Sequence, residues 1–267
     1  MVLRVLVTGS GGIVGSHVVN ALQSRGEAIE IVCFYGDLTD SANTKAFIKE
    51  AGKLDTVIHL AAKVAVDKVK KDPSNAYTVN VGGTINLLNA IAEIEHKPSL
   101  FYCSSAHVYA PQTNAVSEDS TTEPISLYGR TKLVSETIAK DVCLAYDICL
   151  CIGRVFSIHD PKQTGSYLRP SILRRLATHD FKRSFDLYGA DSVRDFLTAQ
   201  QAAKIIVDLA INKYAGIINI GSGQPTMIRD FAQSFSTEPL NIAHLGARDN
   251  LVADTTLLAS FMEKLVD

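Results

Sequence analysis

The chain has 267 residues, 46% apolar and 20% charged, with a formal net charge of −2. That is an ordinary globular balance, enough for one large α/β domain or a domain plus a small lobe. The longest basic run is KVKK at 68–71, and no apolar stretch reaches the ~20 residues of a membrane helix, so neither a nucleic-acid nor a membrane partner is expected. Cys33, Cys103, Cys143, Cys149 and Cys151 contain no CxxC pair and mostly sit in strand-like runs. With Arg4 breaking any signal-like apolar start, the expectation is free thiols in a reducing, cytoplasmic setting.

The first twenty residues, MVLRVLVTGSGGIVGSHVVN, read as strand, glycine turn and helix. Gly9 permits the turn, Gly12 lets a phosphate approach the backbone, and Gly15 lets the helix pack close to the strand. Ser10, Gly11 and Ile13 complete a cradle whose helix N-terminus suits a diphosphate. Residues 29–35 then read as a strand ending in Gly36-Asp37-Leu38, 42–51 as a helix, 56–61 as a strand and 75–94 as one long helix. Residues 100–105 are strand-like, 127–144 helical and 148–156 strand-like again. Strands alternating with helices predict a doubly wound parallel sheet whose sites lie at strand carboxyl ends, here Gly9, Asp37, Ala61, Ser105 and Phe156. Beyond 157 the alternation loosens into a smaller lobe, with 171–176 and 199–211 helical and a strand at 216–220 interleaved with the sheet.

The strongest catalytic pattern is Tyr128-Gly129-Arg130-Thr131-Lys132. Residues four apart share a helix face, and an ammonium beside a tyrosine favours the phenolate over its usual pKa of ~10. Such a pair serves as acid and base for alcohol–ketone interconversion, and Ser105 at an earlier strand end can bond the same substrate oxygen.

The ordered set TGSGGIVG, GDLTD, HLAA, NVGGT, SSAHVY, YGRTK and VRDF resembles the extended short-chain dehydrogenase/reductase family, in its nucleotide-sugar epimerase, dehydratase and reductase group, over residues 2–225. The resemblance implies a Rossmann-type NAD(P)-binding domain over 1–156, some later segments interleaved, and a smaller substrate-binding lobe over 157–267. It implies NAD or NADP, NAD favoured, on Gly9, Ser10, Gly11, Gly12, Ile13 and Gly15, with Asp37 and Leu38 at the adenine. Ala61, Ala62, Lys63, Asn80 and Phe156 would line or support the rest of the cofactor site. Ser105, Tyr128 and Lys132 would be the catalytic set, with Tyr128 and Lys132 also meeting the cofactor. Ser105, Ala106, His107, Ser157, Arg194 and Arg248 would face a nucleotide-diphosphate sugar, the two arginines gripping its diphosphate. A homodimer built on the helices at 75–95 and 127–144 is expected, as in relatives.

Departures narrow the reaction. The acidic pair that dehydratases of this group carry after the serine is replaced by Ala106 and His107, which argues against 4,6-dehydration. The reading is therefore epimerisation through a transient keto-sugar. An NADPH-dependent 4-ketoreductase is the alternative, from the likeness of AAKVAVDK at 61–68 to deoxysugar ketoreductases; a cofactor-sensing protein without turnover is a third. Two junctions look shortened. Residues 26–35 fuse two of the family's strands, with Cys33 near the place of the ribose-reading acid, and 253–262 lack a usual Gly-aromatic-x-Pro turn. The expectation is that loops near 30/31 and 258/259 are missing, with Cα–Cα gaps well beyond ~3.8 Å at these junctions.

Overall fold

A computed structural model describes residues 2–265. Met1, Val266 and Asp267, the outer ends of the two expected domains, lie outside the described residues. Strand β1 (Leu3–Thr8) leads through the glycine turn into α1 (Ile13–Gln23), followed by β2 (Ile29–Phe34), α2 (Ser41–Ala51) and β3 (Thr56–His59). Two short helices, α3 (Val66–Lys71) and α4 (Pro73–Tyr77), run through a π turn at Thr78–Gly82 into α5 (Gly83–Glu93). Next come β4 (Ser99–Ser105), a 3₁₀ turn at Ala106–Val108, α6 (Leu127–Ala145) and β5 (Leu150–Val155). The remainder holds β6 (Ser157–His159), α7 (Leu168–Leu176), β7 (Phe185–Tyr188), β8 (Val193–Thr198), α8 (Ala199–Ile211) and β9 (Gly216–Ile220). It ends with β10 (Pro225–Met227), α9 (Ile228–Gln233), β11 (Ile242–Leu245), β12 (Asn250–Leu251) and α10 (Thr256–Glu263).

The main sheet has the order β2-β1-β3-β4-β5-β9 and is parallel throughout. Alternation along its strands feeds two cores. Val5, Val7 and Ile58 point to one face, where α1 contributes Val18 and Leu22 and α8 contributes Ala203, Ile206 and Val207. Leu6, Val57 and Leu100 point to the other, against Ile48 of α2, Leu87, Leu88 and Ile91 of α5, and Ala139 and Cys143 of α6. This is the doubly wound Rossmann-type sheet expected, with β9, from far along the chain, as its last strand. A smaller sheet sets β10 antiparallel and β12 and β6 parallel to β8, and β11 pairs β7 in parallel beside it.

Three expectations are corrected. The helix over 75–94 is interrupted, because Asn80 lies in the π turn with its side chain drawn away to the loop after β3. The backbone is not broken near 30/31 or 258/259. Strand β2 pairs continuously with β1 from Leu3↔Ile29 to Thr8↔Phe34, and α10 runs through 258/259. The sheet instead closes by one strand, so the fused segment lies directly against β1. Cys33 does not occupy the ribose-reading place either: it pairs with Val7, inside the sheet and two residues short of the glycine turn.

Candidate active site

The glycine turn is compact because its neighbours are close. Gly9 has φ +73°, and a Cβ there would lie 2.7 Å from the backbone nitrogen of Ala61. A Cβ on Gly15 would strike the carbonyl of Gly9, so helix and turn can touch only with glycine there. Gly12 starts α1 without a side-chain cap, its own N–H donating to Gly9 O at 3.0 Å. The first amides of α1 are thereby left for an outside acceptor. Ser10 Oγ supplies the test of fit: it is buried beside the turn, the residue only 7% exposed, and has no hydrogen-bond partner. A phosphate oxygen would satisfy this hydroxyl together with those amides, so the residues present suit a diphosphate.

Across the strand ends, Asn80 accepts from Lys63 N–H at 2.7 Å and donates to Lys63 O and Thr131 Oγ1, both at 3.0 Å. Thr131 Oγ1 in turn donates to Tyr128 O at 2.8 Å. Asn80 is 1% exposed with its amide fully used inside the protein. It holds the 61–63 loop to α6. Ala61 and Ala62 are half-buried along this loop, Leu38 is buried, and Asp37 is exposed. Phe156 is buried against Tyr109, their ring centroids 6.4 Å apart.

Ser105 ends β4, and Ser126 caps α6 by accepting from Gly129 N–H at 3.0 Å. Gly129 has no Cβ because one would collide with the carbonyl of His107, so α6 seats directly on the 3₁₀ turn. That contact brings the Tyr128 phenol to Ser105, whose hydroxyl favours the phenolate. Burial outweighs it and pushes the Tyr128 pKa well above its ordinary value. The expected partner acts elsewhere: Lys132 Nζ donates to Cys103 O at 2.7 Å and stands 4.8 Å from the centroid of the Tyr102 ring. Burial also lowers the Lys132 pKa. The i,i+4 spacing is as expected, and with Lys132 on the Cys103 carbonyl, burial sets the direction of the Tyr128 shift. The His107 ring meets Tyr128 edge-on at 5.8 Å. Desolvation in the crowded cleft and then the charge of Arg194 hold His107 below its usual 6.5, favouring neutral imidazole.

An NAD dependent epimerase/dehydratase family model matches residues 5–221. The chain belongs to this family. It is 28% identical to the UDP-glucose 4-epimerase of Lactobacillus helveticus over 230 residues, covering 74% of this chain and 69% of the relative. It is 30% identical to UDP-glucuronate 4-epimerase 4 of Arabidopsis thaliana over 185 residues, covering 60% of this chain but only 42% of the relative. In three dimensions it superposes on RMD from Pseudomonas aeruginosa, complexed with NADPH, with a TM-score of 0.87 at 23% identity, covering 98% of this chain and 92% of the other. Members of this group are enzymes that use NAD(P), and this chain is of that extended short-chain type.

Within this family member, Arg194 lies near enough for its charge to reach His107, while Nη2 grips both Asp249 oxygens at 2.8 Å. Arg248 is different: its side chain is 71% exposed and pairs with Asp191 at 2.5 Å, on a carboxylate that also takes Arg229. The structure thus puts one expected arginine beside His107, the neighbour of Tyr128, and the other on an outer ion-pair cluster. Ser157 is half-buried, pairing with Phe196 in the small sheet. Ala106 is 1% exposed among Val108, Tyr109 and Phe156. It backs the wall and does not face a substrate, correcting its expected role.

Four supports escaped the sequence reading. Glu136, one turn beyond Lys132, is fully buried and takes Arg154 in a two-pronged ion pair, Nε–Oε1 3.1 Å and Nη2–Oε2 2.8 Å, plus the Ser104 hydroxyl. Asp195, 0% exposed, accepts from Ser222 N at 2.7 Å, Ser222 Oγ at 2.6 Å and Gly223 N at 2.8 Å, binding the exit of β9 to β8. Tyr167, at the start of α7, lies close enough for its charge to bear on Tyr128. Beside it, Ser166 Oγ donates to Asp67 Oδ1 of α3 at 2.8 Å, joining the two sides of the cleft. Only the acid within the VRDF strand carried a signal that pattern reading could have followed.

Proposed function

We propose that this chain is a nucleotide-sugar 4-epimerase that works through a transient keto-sugar on NAD. The observation that carries the reading is the convergence of Tyr128, Ser105 and Lys132 on the carboxyl end of β4, in the same crest as the glycine turn and its orphaned Ser10 hydroxyl. The 4-epimerases among the relatives support the choice of reaction. Gly9, Gly12, Gly15 and Ser10 would hold the diphosphate of the cofactor, and the 61–63 loop its nicotinamide half. When bound, the nicotinamide supplies a hydride acceptor and donor.

Tyr128 takes the proton of the sugar hydroxyl and later returns it, while Ser105 Oγ donates to the same oxygen and fixes its position. A Lys132 ammonium turned from the Cys103 carbonyl toward Tyr128 would favour the phenolate and make it a base. Arg194 exchanges Asp249 for the sugar nucleotide's diphosphate, a bidentate guanidinium trading one anion for another. His107, neutral, forms part of the sugar pocket. Two further readings follow from the sequence: a homodimer through α5 and α6, on which Val134 is 39% exposed, and a reducing, cytoplasmic location for five free thiols.

The test uses the purified chain with UDP-glucose and UDP-glucuronate, with the 4-epimers read by chromatography. Tyr128→Phe is expected to cut turnover by about 10²–10⁴-fold while NAD⁺ affinity stays within about threefold. Wild-type turnover by the phenylalanine variant would refute the role of Tyr128. Consumption of added NADPH by a 4-keto sugar nucleotide, with no epimer formed, would assign the reductase reaction instead.

A further inference from the structure

We propose that His59 is a positioning residue that ties the glycine turn to α6, so that the cofactor cradle and Tyr128 keep one fixed separation. The inference rests on the dinucleotide occupying the glycine turn and on Tyr128 moving the proton, and it gives a role to a buried titratable group that no step of the reaction uses.

His59 ends β3, and the sheet register sets it beside Thr8, the last residue of β1. Both side chains take the face of Leu6 and Val57, under α5. The imidazole spans two hydroxyls there, with Nδ1 2.7 Å from Thr8 Oγ1 and Nε2 3.0 Å from Thr84 Oγ1. Their other bonds fix which nitrogen carries the proton. Thr84 Oγ1 gives its one hydrogen to Asn80 O at 2.6 Å, so toward the ring it can only accept. Nε2 is therefore the N–H, and Nδ1 is left bare to accept from the Thr8 hydroxyl. Burial keeps the ring neutral, as this assignment requires, lowering its pKa to about 3.

The bonds run in one direction through the molecule. Ala61 N–H donates to Thr8 Oγ1 at 3.3 Å, Thr8 to His59, His59 to Thr84, and Thr84 to Asn80 O. Asn80 O also accepts from Ser135 Oγ at 3.0 Å, and Asn80 Nδ2 donates to Thr131 Oγ1 at 3.0 Å. Thr131 and Ser135 straddle Lys132 on α6. At the other end, Thr8 leads into Gly9, which sits so close to the 61–63 loop that a Cβ there would lie 2.7 Å from Ala61 N. Thr8, His59, Thr84, Asn80, Thr131 and Ser135 are each 2% exposed or less, so bulk water cannot replace a lost link. One hydroxyl must donate to the ring and the other must accept from it. A neutral imidazole meets both demands across a rigid plane, which an apolar side chain of the same size does not.

Two variants cut opposite arms of this bridge. Asparagine carries its amide near the place of Nδ1, keeping an oxygen for the Thr8 hydroxyl and losing the reach to Thr84. Glutamine carries its amide near the place of Nε2, keeping a donor for Thr84 and losing the acceptor for Thr8. Far-ultraviolet circular dichroism establishes the folded fraction to which each measurement is referred. Calorimetry and turnover with saturating NAD⁺ should then separate them. His59→Gln is expected to weaken NAD⁺ binding about tenfold with kcat within about threefold, and His59→Asn to lower kcat about tenfold or more with NAD⁺ binding within about threefold. In the wild type, nitrogen-15 spectra of the ring should show a protonated Nε2 and a bare Nδ1, a readout that needs neither variant. Unchanged Kd and kcat in both variants, the same losses in both, or a proton on Nδ1 would overturn the assignment and leave His59 a core residue. A wild type that binds no NAD⁺ or turns over no sugar nucleotide would overturn the dinucleotide reading itself and this inference with it, a failure visible before any substitution is made.

Discussion

Replacing Glu136 by Gln removes one charge from the brace behind α6. In the native protein, Arg154 meets both carboxylate oxygens, donates to Glu118 O at 3.1 Å, and lays its guanidinium 4.7 Å from the Tyr109 ring centroid. The two side chains are 0% and 3% exposed, so neither charge is relieved by water. A glutamine oxygen can still accept from Arg154 Nε and from Ser104. Its NH₂ then faces the N–H of Arg154 Nη2, donor against donor, and the guanidinium is left with a carbonyl and an aromatic face. Breaking one side of such a pair costs about 3–5 kcal/mol, a large share of the ~5–15 kcal/mol that holds a folded domain. For a chain of this size that is a fall in Tm of roughly 6–20 °C. Urea unfolding followed by far-ultraviolet circular dichroism measures it. Glu136→Leu combined with Arg154→Met should be less damaging than Glu136→Gln, because it removes both charges and leaves apolar volume. A loss under about 1 kcal/mol for Glu136→Gln, or a double variant worse than the single, would refute the claim that an uncompensated buried charge is the cost.

Two further outcomes follow. His59, buried with Nδ1 2.7 Å from Thr8 Oγ1 and Nε2 3.0 Å from Thr84 Oγ1, has its pKa lowered by burial, and secondarily by Lys132, from 6.5 to about 3. The unfolded chain therefore takes up a proton that the folded chain refuses between pH 6.5 and about 3, so stability falls as pH drops through that window. Going from pH 7 to 5 should cost about 2 kcal/mol from this group, a slope in the urea midpoint that His59→Gln should flatten; an unchanged slope would contradict it. Gly129→Ala places a Cβ 2.8 Å from the His107 carbonyl carbon and 2.9 Å from Pro124 Cβ, so α6 must withdraw from Ser105. Turnover should fall by about 10²-fold with the fold retained, since a shift near 1 Å suffices to spoil a catalytic alignment. Full activity in the alanine variant would show that this close seat is not what positions Tyr128.

Much of the architecture was legible because it is written in local patterns. The glycine turn, the alternation of apolar runs and the YxxxK spacing each specify a conformation from adjacent residues alone, and the sheet followed. The helical path over 75–94 was legible but its π turn was not, because nothing local marks one: the Asn80 side chain within it binds the 61–63 loop, a partner seventeen residues earlier. Arg194 and Arg248 look alike as chain letters, yet their counter-charges, Asp249 and Asp191, separate an arginine facing the cleft from one on the outer surface.

By itself, then, the sequence determined the sheet class, the glycine turn and the shared helix face of Tyr128 and Lys132, because spacing within a strand or helix fixes which face a side chain takes. Only the tertiary structure decided the charge states and the neighbours. Burial shifts Tyr128 up and Lys132 down, since desolvation depends on everything packed around a group and not on its place in the chain. The order β2-β1-β3 likewise set Phe34 beside Thr8 at the entrance to the glycine turn, because strand order is a property of the assembled sheet.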